Sequence, residues 1–190
     1  KMKRILSLVL AMVMVLGSFS AVFAAEQTAA EKAGAFLQDA GVLQGNATGD
    51  LKLDADLKRR DAVVLLSRLM GEEEEAKAFP SKDLKFDDIT DPYYSGFVAW
   101  AVANKIVDGK SPTKFDPNGD LTAQHFATML LRALKYEVAT KEAYDAALET
   151  AKKLGLLADV EVENTTVVKR GTMAVMTLNA LGTPMKDSTE

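Results

Sequence analysis

Apolar residues recur along this chain at helical spacing, in short runs separated by polar stretches dense in Gly, Pro, Asn and Asp. The first run covers 29–40, with Ala33, Phe36, Leu37 and Ala40 on one face, and Gly41 and Gly45 end it as C-terminal glycines do. After a polar loop, Asp56 is placed to cap a helix whose inner face is Ala62, Val63, Leu65, Leu66, Leu69 and Met70. Asp91-Pro92 opens a third helix, with Tyr94, Phe97, Val98, Ala101 and Val102 inward and Trp100 beside them. It stops near Asn104-Lys105, and the loop from Lys110 to Asp120 is rich in turn residues. Thr122 then caps a helix carrying Phe126, Met129, Leu130, Ala133 and Leu134. Two further runs follow: Tyr144, Ala147, Leu148 and Ala151, then Met173, Val175, Met176 and Ala180. The pattern predicts an all-α fold.

These helices repeat in threes. Each unit is a helix, a short corner, a loop and a second helix. The corners read Gly41-Val42-Leu43-Gln44-Gly45, Lys105-Ile106-Val107-Asp108-Gly109 and Gly155-Leu156-Leu157-Ala158-Asp159. The second helices open at Leu57-Lys58-Arg59-Arg60-Asp61, Leu121-Thr122-Ala123-Gln124-His125 and Val168-Lys169-Arg170-Gly171-Thr172. Gly45 to Leu57 and Gly109 to Leu121 are both twelve positions, and a shift of 64 brings Arg59 onto Ala123, Leu65 onto Met129 and Arg68 onto Arg132. The third loop is three residues shorter. Repeat arrays commonly bind with the surface their units share, which points to a binding module.

The first 24 residues stand apart. Lys1, Lys3 and Arg4 precede an apolar run from Ile5 to Leu16, and Val22-Phe23-Ala24 supplies small residues where a signal peptidase reads. Cleavage is expected after Ala24. Gly17, Ser18 and Ser20 interrupt the run and no positive stop-transfer cluster follows, so no membrane span is expected after cleavage. The expected organisation is a signal peptide at 1–24, repeats at 25–71, 86–136 and 137–185, a linker at 72–85 and a tail at 186–190. Lys1 before Met2 and the plain polar ending at Asp187–Glu190 fit an incompletely read frame, with cargo sequence expected beyond it.

Without residues 1–24 the chain carries 20 basic and 27 acidic side chains, a net of −7, which argues against nucleic acid as a partner. The absence of cysteine excludes disulfides, thiol catalysis and cysteine-ligated zinc. His125 is the single histidine, and Gln124 and Phe126 beside it offer no nucleophile–base arrangement. Asp116-Pro117-Asn118-Gly119-Asp120 has the opening of a calcium loop, but its Gly is at the fourth position and Ala127 stands where the final Glu belongs, so a turn is expected. The run Glu72–Glu75 reads as a solvated linker or helix end. No enzyme, metal or cofactor is expected.

In the second unit, Phe86-Asp87-Asp88, Trp100-Ala101, Ile106-Val107-Asp108-Gly109, Phe115-Asp116-Pro117, Leu121-Thr122 and Phe126-Ala127-Thr128-Met129-Leu130 closely resemble the S-layer homology (SLH) repeat. The resemblance extends by register over 29–185. It implies a three-lobed, pseudo-threefold helical array of three SLH repeats whose inter-repeat grooves bind an anionic, pyruvylated secondary cell-wall polysaccharide. It further implies a secreted protein anchored at the cell wall or S-layer, with S-layer neighbours as further partners. The family motif Ile-Thr-Arg-Ala-Glu at the start of the second helix is matched by Arg59 and Asp61, and in the third unit by Arg170 with Thr172 in place of the acid. The second unit has Ala123 and His125 instead, so a reduced number of competent grooves is expected.

The chemistry agrees with that implication. A guanidinium at a helix start joins a delocalised charge to free backbone N–H groups, which suits a ketal carboxylate. Trp100 could stack on a sugar ring or serve only as a core anchor, and Arg59 could contact ligand or only pair with Asp61 or a neighbouring carboxylate. Arg68 and Arg132, late in their helices, read as structural ion pairs. Asp108-Gly109 is a groove corner or a plain helix stop, and Gly45 and Gly109 are expected to allow positive φ and close ligand approach. The expected glycan contacts are Arg59, Asp61, Trp100, Asp108, Gly109 and Arg170. The alternative function is a structural or self-assembling S-layer element without glycan binding.

Overall fold

A computed structural model describes residues 27–186; the expected signal peptide and the last four residues lie outside them. Eight helices are present among the described residues: α1 (Ala29–Asp39), α2 (Arg59–Leu69), α3 (Glu73–Lys77), α4 (Pro92–Ala103), α5 (Ala123–Ala133), α6 (Lys141–Asp145), α7 (Ala147–Lys153) and α8 (Arg170–Leu181). The fold is helical, and extended chain pairs only as isolated bridges among these residues.

Local chemistry sets the helix starts. Thr28 and Glu31 form a capping box on α1. Asp91 accepts from the Tyr93 N–H with Pro92 in the first turn of α4, and the Thr122 hydroxyl accepts from the His125 N–H on α5. Asp56 does not cap α2. The helix begins only at Arg59, and Asp56 lies instead in a bridge with Lys169. The Glu72–Glu75 run folds partly into α3, with Ala76 buried beneath it and Glu74 and Glu75 in solvent.

The helices do not pair as the repeat units suggest. The first helix of each unit packs on the second helix of the unit before it: α4 on α2, α7 on α5, and α1 on α8, which closes the circuit. The residue that precedes each second helix by two positions sits at the hub. Leu57 N–H donates to the Val168 carbonyl (2.8 Å), Val168 N–H to the Leu121 carbonyl (2.8 Å), and Leu121 N–H to the Leu57 carbonyl (3.1 Å). All three side chains are buried, so these polar groups have only each other.

The same register satisfies the open helix N-termini. Arg59 and Arg60 N–H groups donate to the Gly119 and Pro117 carbonyls, Ala123 and Gln124 to Thr166 and Asn164, and Arg170 and Gly171 to Ala55 and Leu53. Each second helix is thereby capped by the loop of the unit that follows it, the first unit following the third. Truncating Leu121 to Ala should cost about 3 kcal/mol in urea unfolding, because the site is surrounded on all sides and cannot collapse.

Candidate functional site

Two grooves open where one unit's second helix meets the next unit's corner. Groove A, about 170 Å³, is lined by Val42, Leu43, Gln44, Asp61, Arg68, Tyr93, Tyr94 and Arg170, among others. Groove B, about 280 Å³, is lined by Ile106, Val107, Asp108, Gly109, Lys110, His125, Arg132, Tyr144 and Arg59, among others. Shifting the groove A residues by 64 brings Gln44 onto Asp108, Asp61 onto His125 and Arg68 onto Arg132, so the two grooves share one frame.

The two arginines are held alike. Arg59 donates from Nε to the Phe115 carbonyl (2.9 Å) and from Nη2 to the Asp108 carbonyl (2.9 Å). Arg170 donates from Nε to the Leu51 carbonyl (2.8 Å) and from Nη2 to the Gln44 carbonyl (3.0 Å), the residues in the same register. Each arginine therefore reaches across the seam into the following unit's corner. Arg59 is 8% exposed and lies over the Phe115 ring, 4.7 Å from its centroid. Burial pulls its pKa below the ordinary arginine value, opposed by Asp116, Asp108 and Asp88, and a guanidinium still stays charged. Arg59 does not pair with Asp61; that carboxylate instead accepts from the Tyr94 hydroxyl (3.4 Å) in the wall of groove A. The helix-start N–H groups beside the arginines, expected to be free, are taken up by loop carbonyls and are not open to an anion.

Other expectations are corrected. Trp100 is fully buried and its indole N–H donates to Glu72 (3.0 Å), which leaves no ring face for a sugar. The aromatic lining comes from tyrosines read from the sequence as core or passed over: Tyr93 and Tyr94 in groove A, packed edge to face, and Tyr144 in groove B. Asp108 lies in groove B, but it contributes mainly its backbone carbonyl, its carboxylate being engaged by Arg132 (2.8 Å) at the surface. Neither Gly45 nor Gly109 has positive φ; that conformation falls one turn earlier, at Gly41 (75°), Lys105 (58°) and Gly155 (82°). At Gly109 a Cβ would stand 2.3 Å from the Phe86 ring, and at Gly45 it would stand 2.5 Å from the Gly49 carbonyl oxygen, so both glycines serve internal packing. Arg68 and Arg132 do form ion pairs, with Glu73 and Asp108, and they also line the grooves. The calcium-like string is a turn in which the Gly119 N–H donates to the Asp116 carbonyl and Lys110 pairs with the Asp116 carboxylate.

The third seam is different. Ala123 stands in the register of Arg59 and Arg170, and Asn179 in that of Arg68 and Arg132. Asn179 Nδ2 donates to the carbonyls of Leu156 (3.1 Å) and Ala158 (2.9 Å). Ala158 occupies the register of Gln44 and Asp108, so Asn179 supplies the bond that an arginine supplies elsewhere.

Residues 85–127 match the S-layer homology domain. The match contains the corner of groove B with Lys110, Asp120 and His125 of its lining, while Arg59, Thr128, Met129, Arg132 and Tyr144 lie outside it. The chain is similar to a middle cell wall protein of Brevibacillus brevis (27% identical over 100% of this chain and 19% of that one). It is also similar to a surface layer protein of Brevibacillus choshinensis (31% over 72% of this chain and 13% of that one). A third relative is a surface-layer 125 kDa protein of Lysinibacillus sphaericus (33% over 53% of this chain and 8% of that one). The chain thus spans less than a fifth of the length of each of these relatives.

Trp100→Phe should lower stability by about 1 kcal/mol through the lost bond to Glu72. Binding of purified cell walls, measured by co-sedimentation, should be unchanged by it.

Proposed function

We propose that the chain anchors itself, and whatever it is joined to, by holding an anionic, pyruvylated secondary cell-wall polysaccharide in grooves A and B without covalent chemistry. It acts at the cell wall or S-layer, where its S-layer homology domain and its surface-layer relatives belong. In this reading the segments flanking 85–127 are two further, diverged repeats, and the three units are disposed with pseudo-threefold symmetry about the Leu57–Leu121–Val168 hub.

One observation carries the proposal: two guanidinium groups are fixed in the same way at equivalent seams. Nε is consumed by a loop carbonyl and Nη2 by a corner carbonyl in both, while Nη1 makes no hydrogen bond among the described residues. A cation held by two of its nitrogens has already lost its rotamer freedom, so a carboxylate binding the remaining edge meets little ordering cost. Tyrosine rings beside each arginine supply the apolar face a sugar needs.

The alternative, a structural S-layer element without glycan binding, is favoured by the third seam, where a contact between protein groups has replaced the arginine.

Arg59→Lys combined with Arg170→Lys keeps one positive charge at each site but cannot bond two carbonyls and a carboxylate together. Retention on purified walls should fall at least tenfold, with circular dichroism reporting a retained helical fold. Walls stripped of pyruvyl ketals by mild acid should lose wild-type binding to the same extent. Unchanged retention in either arm overturns the proposal in favour of the alternative.

A further inference from the structure

The two grooves share a frame but differ at Gln44 against Asp108 and, with more consequence for charge, at a second position. Asp61 lines groove A, and His125, in the same register, lines groove B. The imidazole is held in place: its Nδ1 lies 2.9 Å from the Thr122 hydroxyl, which can donate to a neutral ring or accept from a protonated one. The ring packs at 6.0 Å from that of Tyr144. The groups facing it are Arg59 from α2, Lys110 and Asp108 from the corner, Asp120 before α5, Arg132 on its own helix, and Tyr144 from α6. Burial, then the positive field of Arg59 and Lys110, pushes its pKa below the ordinary histidine value.

We propose that His125 makes groove B the anion-selecting groove, while Asp61 biases groove A toward the uncharged sugars of the same polymer. This rests on the reading that both grooves hold an acidic glycan. A carboxylate seated on Arg59 offsets the field that keeps the imidazole neutral, so ligand binding and His125 protonation reinforce each other. In groove A a bound carboxylate meets the Asp61 carboxylate instead, which Arg60 offsets only at 3.8 Å and partly exposed, and the cation lining the groove, Arg68, is already paired to the half-buried Glu73. The ion-pair partner of Arg132 in groove B is Asp108, whose side chain is 76% exposed and screened by water, so that cation is the easier of the two to recruit.

Because His125 is the single histidine, its ring resonances report on groove B alone. NMR of the full chain is followed with a methyl hexoside carrying a pyruvyl ketal and with its methyl ester, and the amides of Gln44 and Asp108 give the affinity of each groove. The acid should raise the His125 midpoint by about one unit and so bind groove B roughly tenfold tighter well below the ligand-free midpoint than at pH 8. The ester should show neither effect and should favour groove A. His125→Gln should flatten the pH dependence in groove B, and His125→Asp should give it the preference of groove A. If the acid shifts both amides but leaves the His125 midpoint and the pH profile of the Gln variant unaltered, the inference fails while the glycan reading stands. If neither probe shifts either amide, both fall.

Discussion

The structure depends on three buried peptide groups that satisfy one another. Leu57, Leu121 and Val168 are far apart in sequence, yet each donates to the next and accepts from the one before. A buried N–H without a partner costs on the order of 1–3 kcal/mol, so none of the three segments can leave the hub without stranding the other two. The helices begin two residues further on, and their first N–H groups reach the loop of the following unit because the hub has brought that loop into range. Cooperativity here comes from closure. A linear array of the same helices would leave one loop and one helix start unmatched.

The grooves follow from that closure. Since each second helix starts against the next unit's loop, a long side chain at its first position points into the next unit's corner. Arginine suits the position because its planar fork satisfies two carbonyls that the turn leaves open, and it still has an edge to spare. The stability of the seam and the binding proposed for it thus rest on the same side chain. Where arginine is absent, Asn179 from the later part of α8 covers the Ala158 carbonyl, so the structural half of the role survives without the other half.

Much of this was legible in the sequence. Helical periodicity located seven of the eight helices, though it ran α6 and α7 together, and Gly-to-Leu spacing set the units in register. It could not show that helices pair between units, because periodicity identifies an apolar face without naming what covers it. The arginines were found by register, whereas their direction across the seam required the closed circuit. Trp100 was misplaced for a related reason: an aromatic on an apolar helix serves a core or a wall equally well on paper, and only the indole bond to Glu72 decides. The tyrosines gave a usable signal, since Tyr94 and Tyr144 hold the same position ahead of their corners. The role of the corner glycines, expected to be positive φ and close ligand approach, is not legible, because the crowding by Phe86 and Gly49 comes from loop folding that no local pattern encodes.

The arginine-free third seam makes the circuit unequal. Three equal seams would make the circuit indifferent to its starting point, and a long partner could lie across any adjacent pair. With Ala123 in place of arginine at one seam, the arginine-bearing seams form a single ordered pair, Arg170 then Arg59, joined through the first unit. A polymer that occupied both would have to pass over the first unit. A substitution that looks like lost capacity would then act as a signpost, fixing which side of the circuit the strand travels.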